Sequence, residues 1–216
     1  MKDRVLTFLA ACGSAGPVLY IVTWTVAGLL YPGYNQLTQA TSELTSRAAP
    51  PAVAAVANFG GVALGLSLIA LAFGLYRGVR RSIWLSVGSF LVGLFGLVCI
   101  VQTLFPANPG VSSSSWENVM HGVVFILSGA TLTPGVLALF MAFTRDSDFR
   151  LYRWYTLMTP LLMLLAGQLN VIGSIPAGVP ERLANLVVLA WIEMVALRLF
   201  WLSLRREPAS GGYAGL

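Results

Sequence analysis

The only histidine of this sequence lies one helical turn from a glutamate. Glu117 and His121 are four residues apart, so a helix through both would place them on one face. A carboxylate in that position can orient an imidazole and raise its pKa, and the histidine could then act as an acid or a base near neutral pH. A structural hydrogen bond is the simpler role for His121 taken alone.

A second ionisable group, Glu193, lies in the middle of an apolar stretch, and Arg198 follows five residues later. A spacing of three or four residues suits an ion pair on one helix face, and a spacing of five does not. We therefore predict that Arg198 extends toward the aqueous boundary. Glu193 then either has a structural role, in which it bonds to a neighbouring helix or is protonated, or provides an intramembrane proton or ligand site.

The sequence predicts neither a metal site nor a cofactor. A metal site normally needs several histidine, cysteine or carboxylate ligands, and one histidine cannot supply two axial ligands to a haem. Cys12 and Cys99 both lie in apolar runs, where cysteine is usually a small packing residue. No phosphate loop, dinucleotide fingerprint, paired zinc-binding histidines or nucleophile elbow occurs in the chain.

The composition indicates that these residues lie on or between membrane-spanning helices. Of the 216 residues, 57% are hydrophobic and only 10% are charged, whereas soluble domains carry about 25% charged residues. The mean hydropathy of +0.79 excludes an ordinary soluble protein. A spanning helix needs about 20 mostly apolar residues. Six segments meet that length: Val5–Leu30, Val53–Tyr76, Ile83–Phe105, Val119–Phe143, Trp154–Ile172 and Leu183–Leu204.

The predicted fold is therefore all-α, a single domain over residues 1–207 built as a bundle of six transmembrane helices. Glycines recur within the segments, for example at Gly61, Gly65, Gly93 and Gly96, and small residues let helices approach closely in lipid. The Gly- and Ser-rich tail, residues 208–216, is predicted to be disordered.

The basic residues predict the orientation of the bundle. One set of connections and termini carries Lys2, Arg4, Arg77, Arg80, Arg81, Arg145, Arg150, Arg153, Arg205 and Arg206, while the alternate set carries only Arg47 and Arg182. Because cytoplasmic loops are enriched in Lys and Arg, both termini are predicted to be cytoplasmic. The net charge of +5 comes mainly from the basic residues of these connections and termini. No nucleic-acid partner is predicted, since no basic patch is interleaved with exposed aromatics.

The first outer connection is predicted to contain an amphipathic helix lying in the membrane interface. Leu37, Ala40 and Leu44 repeat at helical spacing after Asn35, a possible cap, and two prolines end the segment.

Polar residues concentrate in the outer half of the predicted bundle and its loops. We predict a ligand pocket there, formed by Tyr34, Ser42, Glu43, Asn58, His121, Gln168, Asn170 and Arg182. Arg182 would suit a phosphate or carboxylate, and a pocket of apolar walls with a few placed polar groups is typical of small-molecule sites.

Three short motifs carry a resemblance to a known family. They are Tyr31-Pro32-Gly33-Tyr34 followed by Thr41-Ser42-Glu43-Leu44, then Phe105-Pro106 followed by His121, and Pro180-Glu181-Arg182. With these motifs the chain resembles, over nearly its whole length, the six-span membrane family called domain of unknown function 998. The family often has an acidic residue just after its Phe-Pro pair, where this chain has Asn108. The resemblance implies six spans and a bacterial or archaeal inner membrane, and it implies no activity.

Three functions remain open from the sequence. The first is binding or transport of an amphipathic or lipid-like small molecule through the outer polar pocket. The second is a membrane-embedded enzyme with His121 as its acid or base, oriented by Glu117 or Glu43. The third is a structural or accessory subunit, in which the polar residues only cap helices and tie loops together. The lipid bilayer is the one partner common to all three, and the oligomeric state is left open.

Overall fold

The computed structural model describes residues 3–169, 175–176 and 178–205, which contain helices, turns and loops and no β-strand. Its six α-helices are α1 (Arg4–Leu30), α2 (Pro51–Gly78), α3 (Ile83–Gln102), α4 (Trp116–Phe143), α5 (Arg153–Gln168) and α6 (Gly178–Arg205). Two short 3-10 helices, Thr41–Thr45 and Arg150–Tyr152, lie between them. The all-helical prediction is confirmed.

Among the described residues, five helices, α1 to α4 and α6, are long and apolar enough to cross a membrane. Helix α5 has 16 residues, so it rises about 24 Å, short of the roughly 30 Å hydrocarbon core. The fifth predicted span extended to Ile172, which lies outside the described residues, as does the predicted disordered tail. These five helices indicate that the protein is a multi-pass membrane protein.

Neighbouring helices in the chain pack side by side, and α6 returns to α1 to close the bundle. The direction of each helix follows from its contacts. The Thr7 and Ser203 hydroxyls lie 2.8 Å apart, so the start of α1 meets the end of α6. Helices α1 and α6 are therefore antiparallel, and α6 runs in the same direction as α2 and α4.

Helices α2 and α3 cross at two glycines. A Cβ atom placed on Gly65 would lie 2.5 Å from the carbonyl oxygen of Gly96, and one placed on Gly96 would lie 2.6 Å from the carbonyl oxygen of Gly65. The two backbones touch, which confirms the predicted packing role of these small residues.

The antiparallel packing separates the charges between two ends. The arginine-rich end holds the described residues Arg4, Arg77, Arg80, Arg81, Arg145, Arg150, Arg153, Arg198 and Arg205, with Asp3, Asp146 and Asp148. The loop end consists of residues 31–50, residues 103–115 and the starts of α4 and α6, and it holds Arg47, Arg182, Glu43, Glu117 and Glu181.

The predicted amphipathic helix in the first loop is wrong. Residues 31–50 form turns and the single 3-10 helix Thr41–Thr45. Ala40 has an extended backbone, with φ −69° and ψ 151°, because side chains bind its peptide groups. Its N–H donates to the Glu43 carboxylate at 3.0 Å, and its carbonyl accepts from the Tyr34 hydroxyl at 2.7 Å. Side-chain bonds to nearby backbone compete with a helix in this way.

Candidate functional site

Arg182, in the first turns of α6, binds the first loop. One guanidinium nitrogen donates to the carbonyl oxygens of Gln39, at 2.7 Å, and Gly178, at 3.0 Å. The other donates to the hydroxyl of Tyr34 at 2.6 Å. The side chain therefore bridges the first loop and the start of α6 through charge-assisted bonds.

Two neighbours of Arg182 add to this contact. The Glu181 carboxylate accepts from the Thr41 hydroxyl and, at 3.2 Å, from the Thr41 backbone N–H. A Cβ atom on Gly178 would lie 2.7 Å from the carbonyl oxygen of Gln36. The glycine thus lets the loop backbone lie directly on the N-terminus of α6.

Glu43 closes the loop from its own side. Besides binding the Ala40 N–H, its carboxylate accepts from the Gln39 side-chain amide at 2.9 Å. We call the bonded set Tyr34, Gln39, Thr41, Glu43, Glu181 and Arg182 the loop cap. It contains three of the predicted pocket residues, Tyr34, Glu43 and Arg182.

Tyr34 stays neutral in the loop cap. Burial raises the pKa of its phenol above the ordinary value, and the nearby Arg182 offsets only part of that rise. A neutral phenol keeps its proton, so it donates to the Ala40 carbonyl while it accepts from Arg182. The ring also stacks on Tyr31, with centroids 5.7 Å apart.

His121 lies in a different contact. Its Nδ1 is 2.9 Å from the carbonyl oxygen of Phe105, at the end of the turn after α3. Since a carbonyl only accepts, Nδ1 carries a proton and donates it. The imidazole is thus oriented by the backbone of the neighbouring connection.

Glu117 pairs with Arg47 of the first loop at 3.1 Å. The prediction that Glu117 orients His121 is therefore wrong, although the two residues share a helix. The Arg47 backbone N–H donates to the Asn108 side chain, and Asn118 binds the Asn108 backbone in turn. The far end of the first loop is thus fastened to the α3–α4 connection, where the family's acidic residue would be.

The remaining predicted pocket residues are dispersed. Ser42 lies in the 3-10 helix, where its carbonyl accepts from Thr45. Asn58, on α2, has a buried Oδ1 with no hydrogen-bond partner among the described residues. Gln168 is the exposed last residue of α5. Asn170 lies outside the described residues.

Glu193 bonds to a neighbouring helix, as its predicted structural role required. The Ser14 hydroxyl of α1 donates to one carboxyl oxygen, Oε1. The other oxygen, Oε2, is buried and has no hydrogen-bond partner in the described part of the chain. Arg198 extends to the α4–α5 connection, where it binds the Asp148 carbonyl at 2.9 Å and the Asp148 carboxylate at 3.2 Å.

We expect Ser14→Ala to reduce the free energy of unfolding by about 1–2 kcal/mol, because it leaves a buried carboxyl without its donor. The same substitution should cost less than about 0.5 kcal/mol in a Glu193→Leu background, where no acceptor remains. Thermal unfolding of the four proteins in one detergent measures both values. Equal losses in the two backgrounds would show that Ser14 acts by packing alone.

The electrostatics of the loop cap do not favour an anion. Arg182 contributes one positive charge, while Glu43 and Glu181 contribute two negative charges, and both carboxylates act on Tyr34. The guanidinium donates to two carbonyls and a phenol, so three of its five N–H groups are already used within the protein. The arrangement suits a fixed contact between the first loop and α6 better than a headgroup site.

Sequence reasoning missed Ser14, Gln39 and Thr41 as partners. Ser14 has a weak signal, since a hydroxyl at mid-depth in the antiparallel α1 is the natural donor to a carboxyl at mid-depth in α6. Gln39 and Thr41 have no such signal, because their partners come from the fold of the loop and from α6.

Comparison with known proteins gives one match. The model of the family described as protein of unknown function (DUF998) matches residues 14–198. No curated protein and no solved structure matches the chain. The match includes α2 to α5, most of α1 and α6, the loop cap and His121.

Proposed function

The chain belongs to the family of proteins of unknown function DUF998, and we propose that it is a structural or accessory membrane protein. In this role, the loop cap holds one end of the helical bundle closed. One observation carries the proposal. The charged groups of the cap, Glu43, Glu181 and Arg182, bind the backbone of the first loop. Groups used in this way fix loops, whereas a ligand site presents free donors and acceptors.

The proposal includes six crossings with both termini in the cytoplasm. Helix α4 ends at the arginine-rich end, and α6 starts at the loop end, where Arg182 binds Gln39. The chain must pass from one end to the other between these two helices, and this supports a crossing that includes α5. The excess of arginines at one end of the bundle supports a cytoplasmic location for that end, with the protein in a cell membrane.

A second candidate is binding or transport of an amphipathic small molecule beneath the loop cap. It is favoured by two buried atoms that lack a hydrogen-bond partner among the described residues, Asn58 Oδ1 and Arg182 Nε. Such orphaned groups are costly unless something satisfies them. In this case the loop cap would be a gate that opens. The third function, acid–base catalysis at His121, stays a prediction.

Cysteine labelling of intact cells separates the first two candidates. In a Cys12→Ala/Cys99→Ala background, Asn58→Cys is treated with a membrane-impermeant maleimide. If the loop cap is fixed, Asn58→Cys stays unlabelled, and adding Arg182→Ala makes it more reactive because the first loop loses the bonds that Gln39 and Tyr34 make with Arg182. Labelling of Asn58→Cys with Arg182 present would contradict a fixed cap and favour the gated binding protein.

Two exposed serines provide the controls. Ser113→Cys in the α3–α4 connection should label in intact cells, and Ser147→Cys in the α4–α5 connection should label only after permeabilisation. The reverse pattern would overturn the proposed orientation without bearing on the cap.

A further inference from the structure

A cavity of about 330 Å³ opens at the arginine-rich end, between the α2–α3 and α4–α5 connections. Its lining residues are Arg80, Arg81, Ser82 and Arg145. Both connections are short, and each contributes arginines, so the cavity depends on the packing of α2, α3 and α4 against one another. It lies at the opposite end of the bundle from the loop cap.

The three guanidinium groups lack a carboxylate partner among the described residues. The ion pairs of this end are Arg77 with Asp3 and Arg198 with Asp148, and neither involves a lining residue. Arg81 lies over the ring of Tyr76, 5.5 Å from its centroid, and the Arg80 side chain has only a long contact of 3.5 Å to the Arg145 carbonyl. Three guanidinium groups therefore line one space, and none of them forms an ion pair among the described residues.

The nearest acidic residue, Asp146, is already used. One of its carboxyl oxygens accepts from the Arg80 backbone N–H at 2.8 Å. The other accepts from the backbone N–H groups of Asp148, at 2.8 Å, and Phe149, at 3.1 Å. Asp146 is buried, and its bonds fasten the two connections together. It thereby positions the arginines through the backbone and makes no side-chain ion pair with them.

Apolar and aromatic side chains continue from the cavity along the helices. Ile83 is 70% exposed, and Tyr76 and Trp84 are also exposed. Aromatic side chains of this kind lie at the level of lipid headgroups. A ligand of the cavity would therefore have its charged part among the arginines and its apolar part along α2 and α3.

We propose that this cavity binds the phosphate headgroup of an anionic phospholipid from the surrounding leaflet. Guanidinium groups match phosphate oxygens in geometry and charge, and the Ser82 hydroxyl can donate a further bond while it caps α3. Basic pockets between helices at the cytoplasmic side are suited to such headgroups. The same phosphate chemistry could come from a soluble anion, and the apolar surroundings favour the lipid.

Lipid titration of the full chain in detergent micelles tests the proposal, with bound lipid counted by native mass spectrometry. Dioleoylphosphatidylglycerol is compared with the zwitterionic dioleoylphosphatidylcholine. We expect the anionic lipid to bind more tightly, and we expect Arg81→Gln/Arg145→Gln to weaken its binding about twenty-five-fold, from about fivefold for each arginine. The charge-conserving Arg81→Lys/Arg145→Lys protein should bind the anionic lipid more tightly than the glutamine protein and less tightly than the unchanged protein, because lysine keeps the charge but not the geometry of the guanidinium group.

The matched control is Arg4→Gln/Arg150→Gln, which removes two exposed arginines from the same end. It should weaken binding less than about threefold. Equal losses in the two glutamine proteins would overturn the site in favour of diffuse surface charge, and so would equal binding of the two lipids. Sodium pyrophosphate provides the last arm: binding of pyrophosphate as tightly as the anionic lipid would assign the cavity to a soluble anion. Thermal unfolding confirms that each variant is folded.

Discussion

Replacement of Gly65 by alanine is expected to reduce the free energy of unfolding by about 3 kcal/mol, the upper part of the range for overpacked cores. The added Cβ would lie 2.5 Å from the carbonyl oxygen of Gly96, which is backbone and cannot rotate away. Helices α2 and α3 must separate to admit it, and their close contact is lost along the crossing. Thermal unfolding in a mild detergent measures the change.

Gly129→Ala is the matched control for this substitution. Gly129 also lies within a helix, α4, and a Cβ there would meet nothing within 4 Å. Alanine should leave the stability unchanged or raise it slightly, because glycine is the poorer helix former. A similar loss for both substitutions would mean that the crossing of α2 and α3 does not depend on Gly65.

Arg182→Ala is expected to reduce the free energy of unfolding by about 2–4 kcal/mol. Hydrogen bonds to charged groups contribute about 1.5–3 kcal/mol each, and this side chain makes three in a half-buried site. The substitution removes the guanidinium donor from the carbonyls of Gln39 and Gly178 and from the Tyr34 hydroxyl, and it leaves only the bonds of Glu181 to Thr41 between this part of the first loop and α6. Thermal unfolding measures the loss, and the maleimide reaction of Asn58→Cys reports on the loop.

Arg47→Ala removes the other arginine of the loop end and should change the stability by less than about 1 kcal/mol. Its side chain is 70% exposed, and exposed ion pairs contribute little. Its backbone bond to Asn108 survives the change. If the two alanine proteins were equally stable, the loop cap would contribute nothing to stability and the proposed structural role would fail.

The fold was largely predictable, because the signal for a membrane helix is a local property of the sequence. Five apolar segments became α1 to α4 and α6 with bounds close to those predicted. The first loop was not predictable in this way. Leu37, Ala40 and Leu44 have helical spacing, but Glu43 and Tyr34 bind the Ala40 backbone and stop a helix there.

The candidate site was predictable in part. Tyr34, Glu43 and Arg182 were expected to belong to one ligand pocket. The structure brings the three together in the loop cap, since loops at one end of an antiparallel bundle meet, and their use as a pocket stays a prediction. His121 was expected to join them, and instead it binds the Phe105 carbonyl. The position of a residue along its predicted span indicates at which end of the bundle its side chain lies. Only the packing of the helices and loops decides which neighbour that side chain contacts.

The sequence by itself determined that this is a helical membrane protein, which residues its spans contain, and which end carries the arginines. These follow from hydropathy and charge, which each segment has whatever its neighbours are. Only the tertiary structure decided how the polar residues are used: Glu43 and Arg182 to hold a loop, Ser14 to bind Glu193, and Asp146 to fasten two connections. Those partners are distant in the chain or lie in irregular loops, and hydrogen bonds act only over about 3 Å, so no spacing in the sequence could identify them.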